Sequence, residues 1–144
     1  MEKGYNNATA LHIACCNDTI NVTDIKPMVD IGGKELVLET GSIFLKSTCL
    51  HYACENKPTP DALKLLLDVG GKDLLMSQTK YGSTPFHIAL KRPNNHGPLG
   101  LQLFVDAGDM ELFFAKDDED ETPISLIKDL ISNEEFTSQE WKDF

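Results

Sequence analysis

The sequence predicts an all-α fold, a solenoid of stacked helix-turn-helix units in a single domain. Three observations carry that reading. A threonine-led box occurs three times and, weakened, a fourth. A second block built on an Asp-x-Gly run follows each of the first three boxes. Both blocks keep nearly one period, as expected of units too small to bury their apolar faces alone and therefore stacked on one another.

The box reads Thr9-Ala10-Leu11-His12-Ile13-Ala14-Cys15, then Thr48-Cys49-Leu50-His51-Tyr52-Ala53-Cys54, then Thr84-Pro85-Phe86-His87-Ile88-Ala89-Leu90. The weak copy is Thr122-Pro123-Ile124-Ser125-Leu126-Ile127, and the threonines are 39, 36 and 38 positions apart. Each threonine predicts a helix start, because its hydroxyl can accept an orphan backbone N–H. Pro85 and Pro123 follow at the first helical position, where no N–H is needed. Polar turns come next, over Asn17 to Asn21, Asn56 to Pro60 and Pro93 to Pro98.

A second helix follows each turn, shown best by Ala62, Leu63, Leu65, Leu66 and Val69 at helical spacing. Gly32, Gly70 and Gly108 recur 38 positions apart and are expected to end these helices in a left-handed cap. Leu11, Leu50, Phe86, Leu65, Leu66, Leu103 and Phe104 are the expected core. Ala14, Ala53 and Ala89 are small enough to let helices approach closely.

These residues resemble the ankyrin repeat: a Thr-Pro-Leu-His-x-Ala box, then a second helix ending in Leu-Leu-x-x-Gly. The resemblance covers roughly residues 4–132. It implies repeats at about 4–38, 43–76 and 79–114 and a degenerate capping repeat at 117–144, all within one domain over 1–144. The period exceeds the usual ankyrin length; the surplus is expected between the two helices and after the glycine. The fourth copy lacks the His and the Ala and is expected to close the stack, with Thr137-Ser138-Gln139-Glu140 starting its second helix. The resemblance also implies hairpin fingers before each threonine: Gly4 to Ala8, Ile43 to Ser47, Thr79 to Ser83 and Asp117 to Glu121. Gly82 suits the left-handed turn position of a finger, and Asn7 and Asp120 can adopt it. Lys46 fits less well, so an irregular second finger is expected.

Composition narrows the function. The net charge is -10, and residues 117–144 hold ten acids against two lysines, so the C-terminal end is acidic and the rest nearly neutral. That balance argues against nucleic acid and anionic lipid, both of which call for clustered Lys and Arg. No apolar run is long enough to span a bilayer, and MEKGYNNATA has no signal-peptide core. A cytoplasmic or nuclear protein is therefore expected, with Cys15, Cys16, Cys49 and Cys54 as thiols. Three glycosylation tripeptides, starting at Asn7, Asn17 and Asn21, carry no weight without a secretory signal.

Catalysis and metal binding find little support. His12, His51 and His87 recur with the repeat, whereas an active site is usually singular. In ankyrin repeats this histidine is hydrogen-bonded inside the stack. His12-x-x-Cys15 and His51-x-x-Cys54, with Cys16 and Cys49, would suffice for zinc on paper. Cys15 and Cys54, however, fall where the family carries a small buried residue. Gly32-Gly33-Lys34 and Gly70-Gly71-Lys72 lack the rest of a phosphate loop and read as helix ends with a solvent lysine. No catalytic residue, metal site or cofactor is expected.

The expected function is partner binding. In ankyrin-type stacks the partner lies along the fingers and the exposed face of the first helices. Position by position this surface would carry Tyr5, Asn6, Phe44, Leu45, Lys80, Tyr81, Asp118 and Glu119. The first helices would add Cys16, Asn17, Glu55, Asn56, Lys91 and Arg92. The aromatics Tyr5, Phe44 and Tyr81 stand out, since a solvated hairpin tip has no folding need for them. The expected binding set is Tyr5, Phe44, Leu45, Glu55, Lys80, Tyr81, Lys91 and Arg92, on a monomer. The partner is an unknown protein, with a basic patch if the acidic run Asp117 to Glu121 takes part. The alternatives are a structural spacer within a longer solenoid and a Cys/His metal protein.

Overall fold

The computed structural model of the chain describes residues 9–41 and 46–132. Four first helices stack in one layer: α1 (Ala10–Ala14), α3 (Cys49–Glu55), α5 (Pro85–Leu90) and α8 (Pro123–Ser132). The second helices α2 (Val22–Leu38), α4 (Pro60–Leu75) and α6 (Pro93–Ala107) form the other layer, each packed on the next. A short helix, α7 (Met110–Phe113), follows α6.

The box residues start their helices as the sequence predicts. Thr9, Thr48 and Thr84 cap α1, α3 and α5, each accepting the backbone N–H of the histidine three residues on. In the fourth copy Ser125 stands where the histidine was: its N–H donates to Thr122 Oγ1 at 3.1 Å, and its hydroxyl accepts the Thr122 N–H at 3.0 Å. α8 then closes over α5 and α7, burying Leu126 and Leu130. Thr137 to Glu140 lies outside the described residues.

The core fills the space between the layers. Leu11, Leu50, Leu66, Phe86 and Phe104 are fully buried, and Phe86 stacks on Phe104 with ring centroids 5.2 Å apart. Leu65 and Leu103, expected in the core, are only half-buried at its edge. The reason is rotational: both sit one position off the row of α4 and α6 that faces the first helices.

The loops between helices are tied to the preceding repeat. β1 (Thr19–Ile20) and β2 (Lys57–Pro58) pair in parallel, with Lys57 N–H donating to Asp18 and Thr59 N–H to Ile20. Asn56 reaches back to the Cys15 carbonyl at 3.2 Å. His96 does the same one repeat later, donating from Nε2 to the Cys54 carbonyl at 2.7 Å.

The helix-ending glycines depart from expectation. The left-handed residue is the second of each pair, Gly33 (φ 60, ψ -156) and Gly71 (φ 62, ψ -154), a region only glycine occupies at low cost. Gly32 and Gly70 serve another need: a Cβ on either would overlap Leu36 or Leu74, one turn ahead. Gly108 keeps that role toward Leu112 but has φ -84, and Asp109 after it is extended and caps α7. The surplus after the glycine is thus an extra helical turn, continuous with α2 and α4 and separate as α7.

Among the described residues three fingers close with the same backbone bond: Gly41 to Ser47 at 2.7 Å, Thr79 to Ser83 at 2.9 Å and Asp117 to Glu121 at 3.0 Å. Lys46 (φ 55), Gly82 (φ 76) and Asp120 (φ 60) take the left-handed position. Lys46 therefore adopts the turn it seemed ill-suited to. The second finger is longer between its closing residues, and its residues 42–45 lie outside those described.

Candidate functional site

The histidines come first, since they are the residues most suggestive of chemistry. In each of the first three repeats Nδ1 accepts the threonine backbone N–H, at 3.0, 3.0 and 3.1 Å for His12, His51 and His87. Nε2 then donates to a carbonyl near a finger: Glu39 for His12, Ser77 and Ser83 for His51, and Glu121 for His87. Both ring nitrogens are spent on holding a finger to its helix. Burial pushes His51 down from the ordinary 6.5 to about 4, although its carbonyl partners favour the charged form.

Cys15 and Cys54 are held as thiols. Cys15, Cys49 and Cys54 are buried, and Cys49 donates to the Val37 carbonyl at 3.4 Å. The Cys15 thiol is raised by its hydrogen bond with Cys49 and then by burial; burial alone dominates at Cys54. Metal binding needs the thiolate, which this environment disfavours. Among the described residues no three His, Cys, Asp or Glu side chains are grouped to hold a metal ion.

A different site lies between the fingers and the first helices. A groove of about 510 Å³ has Ser47, Thr79, Tyr81 and Ser83 on the finger side, and Glu55, Ile88, Lys91 and Arg92 on the helix side. Past Tyr81, Ser83 and Lys91 a smaller hollow of about 250 Å³ reaches Asp117, Asp118 and Glu119 of the acidic finger. The two fingers are joined there, with Asp118 N–H donating to the Tyr81 carbonyl at 2.9 Å. Gln78 bridges the Gly82 and Lys116 carbonyls at 2.9 and 3.2 Å. Tyr81 stays 58% exposed on this tied hairpin, so its ring is not spent on the core.

The charges are set by neighbouring acids. Lys91 Nζ is 3.2 Å from Glu121 and 4.0 Å from Asp117, a carboxylate that is itself buried and accepts the Glu119 and Glu121 N–H groups. Arg92 and Glu55 are exposed and form no ion pair with the described residues. Lys80 stands outside the groove, its Nζ 6.0 Å from the centre of the Tyr81 ring.

Comparison with solved structures supplies the fold's name. The crystal structure of the ankyrin repeat domain of Bcl-3, described as a unique member of the IkappaB protein family, superposes with a TM-score of 0.63 at 23% identity. The chain has the ankyrin-repeat fold. The match covers 92% of this chain and 58% of that one, so this chain spans little more than half that domain's length. No family model matches the sequence, and no curated protein matches it.

Within this ankyrin stack, the structure brings together Glu55, Tyr81, Lys91 and Arg92 and places Lys80 beside them. Tyr5, Phe44 and Leu45 lie outside the described residues. Asn56, expected on the exposed surface, is turned inward to the Cys15 and Tyr52 carbonyls. Two sets were missed in the sequence. Ile13, Tyr52 and Ile88 form one row, four positions after each threonine, on the helix face toward the fingers; Ile13 is 60% exposed and Ile88 lines the groove. Their signal was the variable position between His and Ala inside the box. The hydroxyls of Ser47 and Ser83 look in sequence like ordinary turn residues.

Proposed function

We propose that this chain is a protein-interaction module without catalytic activity of its own. It binds a partner through the fingers and the exposed face of the first helices. The observation that carries the reading is the groove: Tyr81, exposed on a tied finger, shares one hollow with Glu55, Lys91 and Arg92. An exposed aromatic on a pre-ordered support loses little entropy on binding, which is what an interface anchor needs. The site is centred on the third repeat, and Asp118 and Glu119 give it an acidic flank suited to a basic patch on the partner. The chain acts as a monomer and one domain, in the cytoplasm or nucleus. Among the described residues no helix is long and apolar enough to cross a membrane.

The test is capture from source lysate with the intact chain beside a Tyr5→Ala, Phe44→Ala, Tyr81→Ala triple variant of equal thermal stability. The reading expects a partner held by the first and lost by the second. Partners held equally by both would move the site away from the fingers and leave the stack as a spacer.

A further inference from the structure

We propose that the groove beneath the third finger selects an acidic side chain of the bound segment, and that Arg92 is the residue that reads it. The inference rests on the partner-binding reading above and goes beyond it by naming the partner's chemistry. It starts from an asymmetry between two adjacent cations. Lys91 already has Glu121 at 3.2 Å and Asp117 at 4.0 Å, so it has little left to offer a ligand. Arg92 faces the same groove, is exposed, and has no ion pair among the described residues. Its guanidinium presents paired N–H donors matched to a carboxylate.

The groove wall supports this polarity. Ser47 and Ser83 line it with polar residues, and neither side chain forms a hydrogen bond with the described residues. Ile88 provides an apolar side against which the stem of an Asp or Glu can lie. Glu55, which also lines the groove and forms no ion pair with the described residues, disfavours a second acid there. Past Tyr81 the hollow ends on Asp118 and Glu119, which suit a basic residue. The occupant is therefore a mixed-charge segment, its acidic residue at Arg92 and its basic residue on the acidic finger. A uniformly acidic segment would be repelled by a chain of net charge -10.

The experiment is selection of a random peptide library displayed on phage, using the full chain and its Arg92→Glu and Tyr81→Ala variants at matched thermal stability. With the intact chain, the proposal expects Asp or Glu enriched at one fixed peptide position. It expects that preference to turn to Lys or Arg with Arg92→Glu. For a single selected peptide, replacing its acid by the amide should weaken binding roughly tenfold on the intact chain and little on Arg92→Ala. Peptides that need Tyr81 but tolerate Arg92→Glu would overturn the inference and leave the binding surface standing. Peptides indifferent to both substitutions, or a selection that yields no binder, would count against the surface as well.

Discussion

The threonine–histidine latch and the Tyr81 groove share the third repeat and are built on opposite rules. The latch appears three times with nearly the same geometry, is buried, and uses both nitrogens of each ring. The residues that line the groove do not recur with the repeat. At the positions of Lys91 the earlier repeats carry Cys16 and Glu55, and the finger position of Gly82 is Lys46 in the second repeat. A feature copied in every repeat serves the stack, because each unit must fasten its own finger and helix. A feature whose residues change from repeat to repeat, on a surface whose backbone is already tied, is free to serve a partner. The recurring histidines, first suspects for chemistry, thus belong to folding, and the proposed binding surface is the finger and helix tips beside them.

The comparison can be broken by mutation. The largest effect is expected at the latch. His51→Ala leaves the buried Thr48 N–H and the Ser77 carbonyl without a partner and removes one of the two donors to the Ser83 carbonyl, and should destabilise the chain by about 3 kcal/mol in urea unfolding. A loss below about 1 kcal/mol would mean that the latch is decoration.

Acid should reach the same group without mutation. The unfolded chain takes up a proton on histidine near 6.5, whereas folded His51 does so only at about 4. The unfolded state therefore binds more protons between these values. Stability from this group is complete above about 6.5 and falls as the pH drops toward 4, by on the order of 3 kcal/mol. His96, lowered by burial, acts in the same direction. Thermal melts from pH 7 to 4 check the slope, which His51→Ala should flatten.

A smaller loss is expected at Gly71, where φ is 62 and ψ -154. Gly71→Ala has open space for its Cβ, so the penalty is conformational, about 2 kcal/mol. Gly108→Ala lacks that strain and meets instead the Leu112 side chain and the Phe104 carbonyl. The pair separates backbone strain from packing. The smallest effect is expected at Tyr81→Ala, within about 0.5 kcal/mol of the parent in the same urea experiment, because more than half of the side chain is already exposed. A large loss there would assign Tyr81 to the fold.

Most of the fold was legible because its devices repeat. Thr9, Thr48 and Thr84 with their histidines, and the glycines that follow, are local signals whose meaning recurrence makes plain. What was not legible depended on contacts between repeats or on backbone angles. Which glycine of Gly32-Gly33 is left-handed is settled by Leu36 packing over the first, four residues away. Asn56 and His96 look like solvated turn residues until the preceding repeat brings the Cys15 and Cys54 carbonyls to them. At the candidate site, Glu55, Tyr81, Lys91 and Arg92 could be placed by position within the repeat. The inward turn of Asn56 and the neutralising of Lys91 by Glu121 could not, because each is a contact across repeats.

The most direct test is amide hydrogen exchange on the full chain, alone and with a captured partner bound. The account predicts slowed exchange over residues 79–92, where the third finger runs into α5, and at the tip of the acidic finger, with α2 and α4 unchanged. Slowing confined to the outer faces of α2, α4 and α6, with the third finger exchanging as in the free chain, would contradict it.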